Sequence, residues 1–351
     1  MRTPPFLDGR GDEVNGSIAE AGYARLGGVD QFVMMRGLNR SNPPLILLHG
    51  GPGFSETAFF RFYCAPLERF FTLIYWDQRG AGKSARSDVK PETLTVAQLL
   101  ADLAELVDLT CRRLGHEQVT LFGHSWGSAL GVLFAARAPE RVAAYVGCGQ
   151  IGDWAKGEKE FYDFTLAEAR RRGHGRALRE LEKMGPPPHS VEQLLAARTW
   201  LSRFEGRMSP GAIWQVVRAV LGTPEASLWE VPHTMRALHA TLAAMWPEVT
   251  RLDLNQLAPA LAMPVFFLLG RHDHWVPSHV SQAYFEALQA PSKQLVWFEQ
   301  SGHEPFVDEP EKLNRTMIEL VRPVCVERGL SAARRAGRCR PARGLLLPVR
   351  R

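Results

Sequence analysis

Residues 119–131 read VTLFGHSWGSALG, a short apolar run that continues into a segment of small residues. The run predicts a buried strand, and the segment after it predicts a helix packed closely on a sheet. At the junction, residues 123–127 read GHSWG and match G-x-S-x-G, in which a sharp turn exposes a serine hydroxyl. The two glycines are needed because side chains there would collide with neighbouring backbone. The stretch therefore predicts Ser125 as a nucleophile, against the alternative of an ordinary tight turn.

Further short apolar runs predict the other strands of the same sheet. They lie at residues 45–48, 72–76, 142–146, 265–269 and 294–298, after an opening hairpin at 22–28 and 31–36. Runs that are apolar on both faces are typical of parallel strands. Helical spacing of apolar residues recurs between them, as in residues 96–114, and this alternation is typical of an open α/β sheet.

The pattern changes in residues 153–248, which hold charged helical stretches, five of the nine tryptophans and no convincing strand. We therefore predict an α/β fold with a mostly parallel central sheet and a helical cap inserted after the sixth strand. The predicted boundaries are 20–152 for the first part of the core, 153–248 for the cap and 249–325 for the second part. The arginine-rich composition of residues 326–351 predicts a disordered basic tail.

A serine hydroxyl becomes an effective nucleophile only when a base takes its proton, and a third group must hold that base in one tautomer. Asp273 follows the predicted strand 265–269, and His303 follows the predicted strand 294–298. Both positions lie beyond the carboxyl end of a strand, where open α/β sheets bind ligands. The order Ser, Asp, His along the chain also fits a G-x-S-x-G turn. We predict His303 as the general base and Asp273 as the residue that orients it.

Two alternatives concern the same residues. Asp253 and Asp308 are other acidic residues nearby, but neither follows a predicted strand. His272 and His274 flank Asp273 and open the possibility of a metal site with His303. Zinc sites have recognisable ligand spacing, which is missing here, so we expect no metal.

An oxyanion formed during acyl transfer needs two hydrogen-bond donors. One predicted donor is the backbone N–H of Trp126, directly after the serine. The other is expected in residues 49–53, which read HGGPG after a predicted strand; Gly51 is favoured over Gly50. A simple strand-ending turn would tolerate the same composition. Residues 82–84, GKS, resemble the end of a phosphate-binding loop, but position 77 is aspartate where that loop needs glycine, so no nucleotide is expected.

The net charge of +5 belongs to the C-terminal end of the chain. Eight arginines and one glutamate lie from Glu327 to Arg351, so the other residues together carry about −2. A polyanion-binding arm is the functional alternative for this segment, and a solvated extension is the simpler interpretation. We expect no nucleic-acid partner.

Five scattered cysteines without CxxC spacing argue against a disulfide framework and favour a reduced compartment. No apolar run approaches the length of a membrane span, and the first residues lack the apolar stretch of a signal peptide. These features predict a cytoplasmic protein with no membrane partner. The oligomeric state is left open.

Taken together, the motifs resemble those of the prolyl iminopeptidase family of α/β-hydrolases over roughly residues 20–322. The resemblance rests on HGGPG at 49–53, on DQRGAGKS at 77–84 and on GHSWGS at 123–128, with 270–273 and 302–303 similar as well. It implies the α/β-hydrolase fold and release of an N-terminal residue, often proline, from short peptides through an acyl-enzyme. No metal or organic cofactor is implied.

The resemblance also implies a helical cap whose acidic residues receive the ammonium group of the substrate. Glu205 and Glu230 are the candidates in the cap, and Glu304, beside His303, is a third. An aromatic residue such as Trp126 would suit a pyrrolidine ring. The leading hypothesis is a serine aminopeptidase. The alternatives are an esterase or amidase with the same triad acting on a small apolar acyl group, and a non-catalytic binding protein; Ser125 argues against enzymes that need a carboxylate nucleophile.

Overall fold

One sheet organises the chain over residues 3–328, the part that the computed structural model describes. Eight strands in this part pair in the order β1-β2-β4-β3-β5-β6-β7-β8. The strands are β1 Ile18–Leu26, β2 Val29–Gly37, β3 Pro44–Leu48, β4 Thr72–Trp76, β5 Val119–His124, β6 Val142–Cys148, β7 Val265–Gly270 and β8 Lys293–Phe298. β2 is antiparallel to β1 and β4, and the other pairs are parallel. The predicted mostly parallel sheet is confirmed.

The central strands are buried on both faces, because alternate side chains enter different apolar clusters. In β3, Ile46 and Leu48 belong to one cluster, whereas Leu45 and Leu47 belong to the other. Every residue of β3, β4, β5 and β6 is buried. This explains why the sequence shows unbroken apolar runs instead of alternation.

The opening hairpin differs from its prediction at both ends. β1 begins at Ile18, before the predicted run, and the predicted run's last two residues, Gly27 and Gly28, form the turn instead. Their φ values of 54° and 80° suit a two-residue hairpin turn, which needs positive φ at both positions. Backbone pairing with β2 extends β1 beyond the part of the sequence that carries an apolar signal.

Helices cover the sheet and follow its strands. The α-helices are α1 Thr57–Tyr63, α2 Val96–Leu114, α3 Trp126–Arg137, α4 Trp154–Arg171, α5 Gly175–Met184, α6 Val191–Phe204, α7 Pro210–Leu221, α8 Val231–Val249, α9 Leu254–Leu257, α10 Ser278–Ala287, α11 Pro305–Asp308 and α12 Pro310–Thr316. Short 3₁₀ turns occupy Ala65–Arg69, Gly82–Ser84, Pro91–Thr93, Pro139–Arg141 and Leu228–Glu230, and a π-turn, Met317–Val321, follows α12. The helix predicted at 96–114 is α2. It begins where Thr95 accepts a hydrogen bond from the Gln98 N–H and ends at Gly115 with φ of 75°.

Helices α4 to α8 lie between β6 and β7, so the predicted helical insertion after the sixth strand is confirmed. The two ends of this cap meet at the sheet. The Trp154 N–H donates to the Leu252 carbonyl at 2.9 Å, and the Leu254 N–H donates to the Gly152 carbonyl at 2.8 Å. The chain therefore leaves and rejoins the core at one place.

The C-terminal end is described only in part. Helical structure continues from the π-turn to residue 328, and residues 329–351 of the predicted tail lie outside the described residues, as does Cys339. The other four cysteines are buried and unpaired. Within residues 3–328, no helix is both long enough and apolar enough to span a membrane.

Candidate active site

Ser125 lies at the turn from β5 into α3 and has a strained backbone. Its φ is 51° and its ψ is −121°, and it is the one non-glycine residue with positive φ in the described part of the chain. A Cβ at Gly123 would overlap the Gly127 carbonyl, and a Cβ at Gly127 would overlap that of Leu48. Such strain persists only where its surroundings enforce it, and it concentrates at functional sites. The turn therefore has the geometry that the GHSWG sequence predicts.

Asp273 and His303 are paired beside this turn. The Nδ1 of His303 lies 2.8 Å from the Oδ2 of Asp273, and both residues are buried. The other carboxylate oxygen of Asp273 accepts the N–H groups of Trp275 and Val276, each at 2.9 Å. Burial alone would raise the pKa of Asp273, but the charge and hydrogen bond of His303 and the Val276 N–H hold it below its usual value. An ionised Asp273 requires a proton on the His303 Nδ1, so Nε2 is the ring nitrogen that can accept a proton.

The structure brings His303 to the serine turn. The His303 ring lies 4.7 Å, centroid to centroid, from the ring of His124, the residue before Ser125. The Ser125 N–H donates to the Cys148 carbonyl at 3.0 Å, and a Cβ at the next residue, Gly149, would lie 3.0 Å from the His303 ring. The ends of β5 and β6 and the loop after β8 therefore meet around one point.

The HGGPG loop lies over the same turn, where a Cβ at Gly50 would come 3.2 Å from the Ser125 Cβ. The Gly50 N–H donates to the Oε2 of Glu56 at 2.9 Å and is therefore occupied. Within residues 3–328, the N–H groups of Gly51 and Trp126 donate to no protein acceptor. These two groups, and not that of Gly50, are available to an oxyanion.

The DQRG segment supports this loop. The Gln78 side chain donates to the His49 carbonyl at 3.0 Å and accepts the indole N–H of Trp126 at 3.1 Å. The Trp126 side chain is 1% exposed and bound to Gln78, so the structure shows a supporting role for its indole, and its contact with substrate stays a prediction. The Ser84 hydroxyl donates to the Asp77 carbonyl at 2.6 Å, which gives the GKS segment a structural role too.

A cavity of about 640 Å³ lies between the cap and the core beside the paired Asp273 and His303. Glu205 from the cap and Glu304 from the core both line it, as do Phe54, Phe59, Phe164 and Trp275. Glu230 does not: its carboxylate pairs with Lys83 at 2.9 Å and lines a separate cavity. The two candidate acids of the cap therefore face different cavities, and Glu205 is the one that lies with Glu304.

The two carboxylates in the cavity differ in charge state. Burial raises the pKa of Glu205 to about 7, despite the opposing charge and hydrogen bond of Arg207. The Glu205 Oε1 has no hydrogen-bond partner, whereas its Oε2 accepts the Arg207 Nε–H at 2.9 Å. Burial opposes the charge of Glu304 as well, but the Arg207 guanidinium, which also contacts Glu304, holds the pKa of that carboxyl below its usual value. Arg207 thus bridges the two acids, and Glu205 keeps one free oxygen.

The histidines of the alternative metal site do not converge. The His274 ring stacks on Phe164 with centroids 3.6 Å apart, and His272 is exposed. Among the described residues, no group of three His, Cys, Asp or Glu side chains is placed to hold a metal ion.

Comparison with known proteins identifies the family to which the chain belongs. A family model described as "alpha/beta hydrolase fold" matches residues 43–310. The chain belongs to the α/β-hydrolase fold family. This α/β-hydrolase is 27% identical to the probable aminopeptidase YbaC of Bacillus subtilis (strain 168), a match that covers 86% of this chain and 96% of the relative. It is 24% identical to the proline iminopeptidase of Heyndrickxia coagulans, over 78% of this chain and 88% of the relative.

A solved structure gives the same result for the fold. The proline iminopeptidase of Mycobacterium smegmatis superposes with a TM-score of 0.61 at 19% identity, over 88% of this chain and 100% of that chain. The resemblance to the prolyl iminopeptidases that the motifs predict is confirmed.

Sequence reasoning missed three polar residues at the site of this α/β-hydrolase. They are Glu56, His124 and Arg207, of which Glu56 and His124 are buried as a pair directly beneath the serine turn. His124 occupies a variable position of G-x-S-x-G, and Glu56 follows the HGGPG loop by three residues. The position of His124 inside one motif, and of Glu56 shortly after the other, was the signal in the sequence that could have identified this pair.

Proposed function

We propose that this protein is a serine hydrolase in which Ser125 attacks, His303 acts as general base and Asp273 orients His303. The observation that carries the proposal is the strained Ser125 turn next to a buried histidine whose Nδ1 is bound to a buried aspartate. This arrangement leaves the His303 Nε2 available to take the proton of the serine hydroxyl.

The reaction then follows from these groups. As the Ser125 Oγ bonds to the acyl carbon, His303 takes its proton, and the N–H groups of Gly51 and Trp126 stabilise the oxyanion. His303 returns the proton to the leaving amine or alcohol when the acyl bond breaks, which leaves an acyl-enzyme. Water, deprotonated by His303, attacks the ester, and the proton passes back to Ser125 as the acid product leaves.

The preferred substrate in this proposal is a short peptide or amino-acid amide with a free N-terminus. The relatives named as aminopeptidases support it, and so does the free carboxylate oxygen of Glu205 in the cavity. The Glu205 Oε1 is a buried oxygen that has no hydrogen bond, and an ammonium group of the substrate would supply the missing donor. The aromatic walls of the cavity suit a small apolar side chain such as a proline ring.

An esterase or amidase that needs no ammonium group is the second candidate. One observation favours it: Arg207 already contacts both Glu205 and Glu304, so the cavity holds its own counter-charge. An apolar acyl group would then contact only the aromatic walls.

The experiment compares purified protein with Ser125→Ala on proline p-nitroanilide, its N-acetyl derivative and p-nitrophenyl butyrate. Ser292→Ala, at an exposed serine far from the motifs, is the matched control. Turnover of the free anilide alone, lost only in Ser125→Ala, supports the aminopeptidase. Turnover of the butyrate alone supports the esterase. No turnover, together with no labelling of Ser125 by a fluorophosphonate, contradicts the serine hydrolase and favours a binding protein.

A further inference from the structure

A buried charged pair that the reaction above does not use lies directly under Ser125. Glu56 is 5% exposed and His124 is 1% exposed, and the Glu56 Oε1 lies 2.8 Å from the His124 Nδ1. Glu56 precedes helix α1, whereas His124 is the last residue of β5. Burial of two ionisable groups is costly unless each is paired and fully hydrogen-bonded, so such a pair calls for an explanation.

The hydrogen bonds of His124 show which form it takes. Its Nδ1 faces a carboxylate oxygen, and its Nε2 faces the backbone carbonyl of His303 at 2.9 Å. A carbonyl can only accept, so Nε2 carries a proton, and one further proton lies in the hydrogen bond between Nδ1 and Glu56. Burial opposes this charge, but Glu56 above all, and Glu304 more weakly, raise the pKa of His124 to about 9. The direction of this shift favours the protonated ring, with Glu56 as its counter-ion.

Glu56 also reaches the oxyanion loop. Its Oε2 accepts the Gly50 N–H at 2.9 Å, one residue before the proposed donor Gly51. The pair thus makes two hydrogen bonds to other parts of the site, one to the loop after β3 and one to the backbone of His303 after β8, while His124 itself adjoins Ser125 in the chain. Packing of the two rings is a further contact with His303, because the ring centroids of His124 and His303 lie 4.7 Å apart.

We propose that Glu56 and His124 are positioning residues that lock the oxyanion loop, the nucleophile turn and the general base into one geometry. This inference rests on the proposed function, because it assigns the two residues to the same site. Neither residue takes a proton from substrate. Their effect acts through Gly50, Ser125 and His303, whose backbone they hold.

The proposal makes the reaction depend on the proton of His124. Loss of that proton removes one of the two hydrogen bonds and leaves Glu56 without its counter-ion. The charged and titratable groups that face His124 are Glu56 next to α1, Glu304 and His303 from the loop after β8, and His49 at the end of β3. Arg207, which pairs with Glu304, lies one contact further away.

The test uses Glu56→Gln, with Glu158→Gln as its matched control. Glu158 forms another buried pair, with the His189 Nδ1 at 3.1 Å, but it lies in the cap. Removal of one oxyanion donor costs about 10²–10³ in kcat, and a donor that is displaced but still present should cost less. For Glu56→Gln we therefore expect kcat and the rate of Ser125 labelling by a neutral fluorophosphonate to fall at least about tenfold, with KM nearly unchanged. Glu158→Gln should lower the melting temperature without changing the labelling rate.

A second measurement needs no variant. NMR titration of wild-type His124 should show a doubly protonated ring at pH 7 that loses a proton near pH 9, and the labelling rate should fall over the same pH range. A neutral His124 at pH 7, or a folded Glu56→Gln protein labelled as fast as wild type, overturns the positioning role alone. Wild-type protein that is not labelled at all overturns the proposed function and the inference with it.

Discussion

At the scale of single residues, the proposed reaction depends most on the pairing of Asp273 with His303. Asp273 is held by two backbone N–H groups and by His303, so its carboxylate cannot rotate without breaking buried hydrogen bonds. Because an unpaired buried polar group is costly, these bonds also fix the tautomer of the His303 ring.

We expect Asp273→Asn to retain the fold and to lose about 10⁴-fold in kcat, the size seen when an amide replaces this carboxylate in a serine protease. The amide NH₂ of asparagine donates a hydrogen bond to Nδ1, so the ring proton would move to Nε2. His303 would then face Ser125 with an N–H group and could not take the proton of the serine hydroxyl. Steady-state kinetics and the melting temperature check this. A folded variant with kcat within tenfold of wild type would show that Asp273 is not the orienting group.

If Glu205 receives the ammonium group as proposed, binding of that group should depend on pH. Because burial raises the pKa of Glu205 to about 7, it is largely protonated below that pH and cannot pair with a cation. The KM for proline p-nitroanilide should therefore fall as pH rises through about 7, whereas the KM for p-nitrophenyl butyrate stays flat. Glu205→Gln should abolish the pH dependence of the former, and Glu182→Gln, at an exposed cap residue, should leave it intact. Parallel curves for both substrates would contradict the role of Glu205.

At the scale of the elements, the contact of helix α3 with the sheet explains why small residues follow the serine. At Gly127 the helix approaches the Leu48 carbonyl so closely that a Cβ would overlap it. At Gly131 the helix is again close to the sheet, since a Cβ there would lie 2.8 Å from the Tyr145 ring. Interiors are close-packed, so one added methyl group has no room.

We expect Gly127→Ala to lower the free energy of unfolding by about 1–3 kcal/mol or more, because the methyl group would meet backbone that cannot move aside. Gly157→Ala is the matched control in helix α4, where the nearest atom to an added Cβ is 3.9 Å away. That change should raise stability by about 0.5–1 kcal/mol, since alanine favours the helix. Denaturant unfolding measures the free energy of unfolding of both variants. A change in the same direction for Gly127→Ala and Gly157→Ala would contradict the packing argument.

Much of this architecture could be predicted from sequence because its signals are local. The strand-to-helix turn at Ser125 and the strands before Asp273 and His303 each lie within a few residues of a motif. The contacts that escaped prediction join distant positions, such as Glu56 to His124 and Arg207 to Glu304. The placement of Glu230 also escaped, because the path of the cap helices, and not the local sequence, decides which cavity a carboxylate faces.

At the scale of the whole molecule, a buried ion pair connects the opening hairpin to the rest. Arg79 binds both carboxylate oxygens of Asp102 in α2 and donates to the Gly27 carbonyl in the hairpin turn at 2.8 Å. Gln31 of β2 donates to the same carboxylate at 2.7 Å. The DQRG segment thus joins the edge of the sheet to a helix while its glutamine supports the active-site loop.

Arg79→Met should lower the free energy of unfolding by about 3–5 kcal/mol, because it leaves a buried carboxylate without its counter-charge. Arg25→Met, which removes a solvent-exposed pair with Asp30, should change it by about 0–1 kcal/mol. Urea unfolding at constant pH compares the two. A similar loss in both variants would mean that burial of the Arg79 pair has no special effect.

The meeting of the two cap ends at the sheet has a consequence for how such a protein can change. Two backbone hydrogen bonds, Trp154 to Leu252 and Leu254 to Gly152, close the base of the insertion. A different helical segment closed by the same two hydrogen bonds would change the walls of the cavity, whereas Ser125, Asp273 and His303 follow strands of the core. Recombination or protein design could therefore exchange the cap while the strands that carry these three residues stay in place.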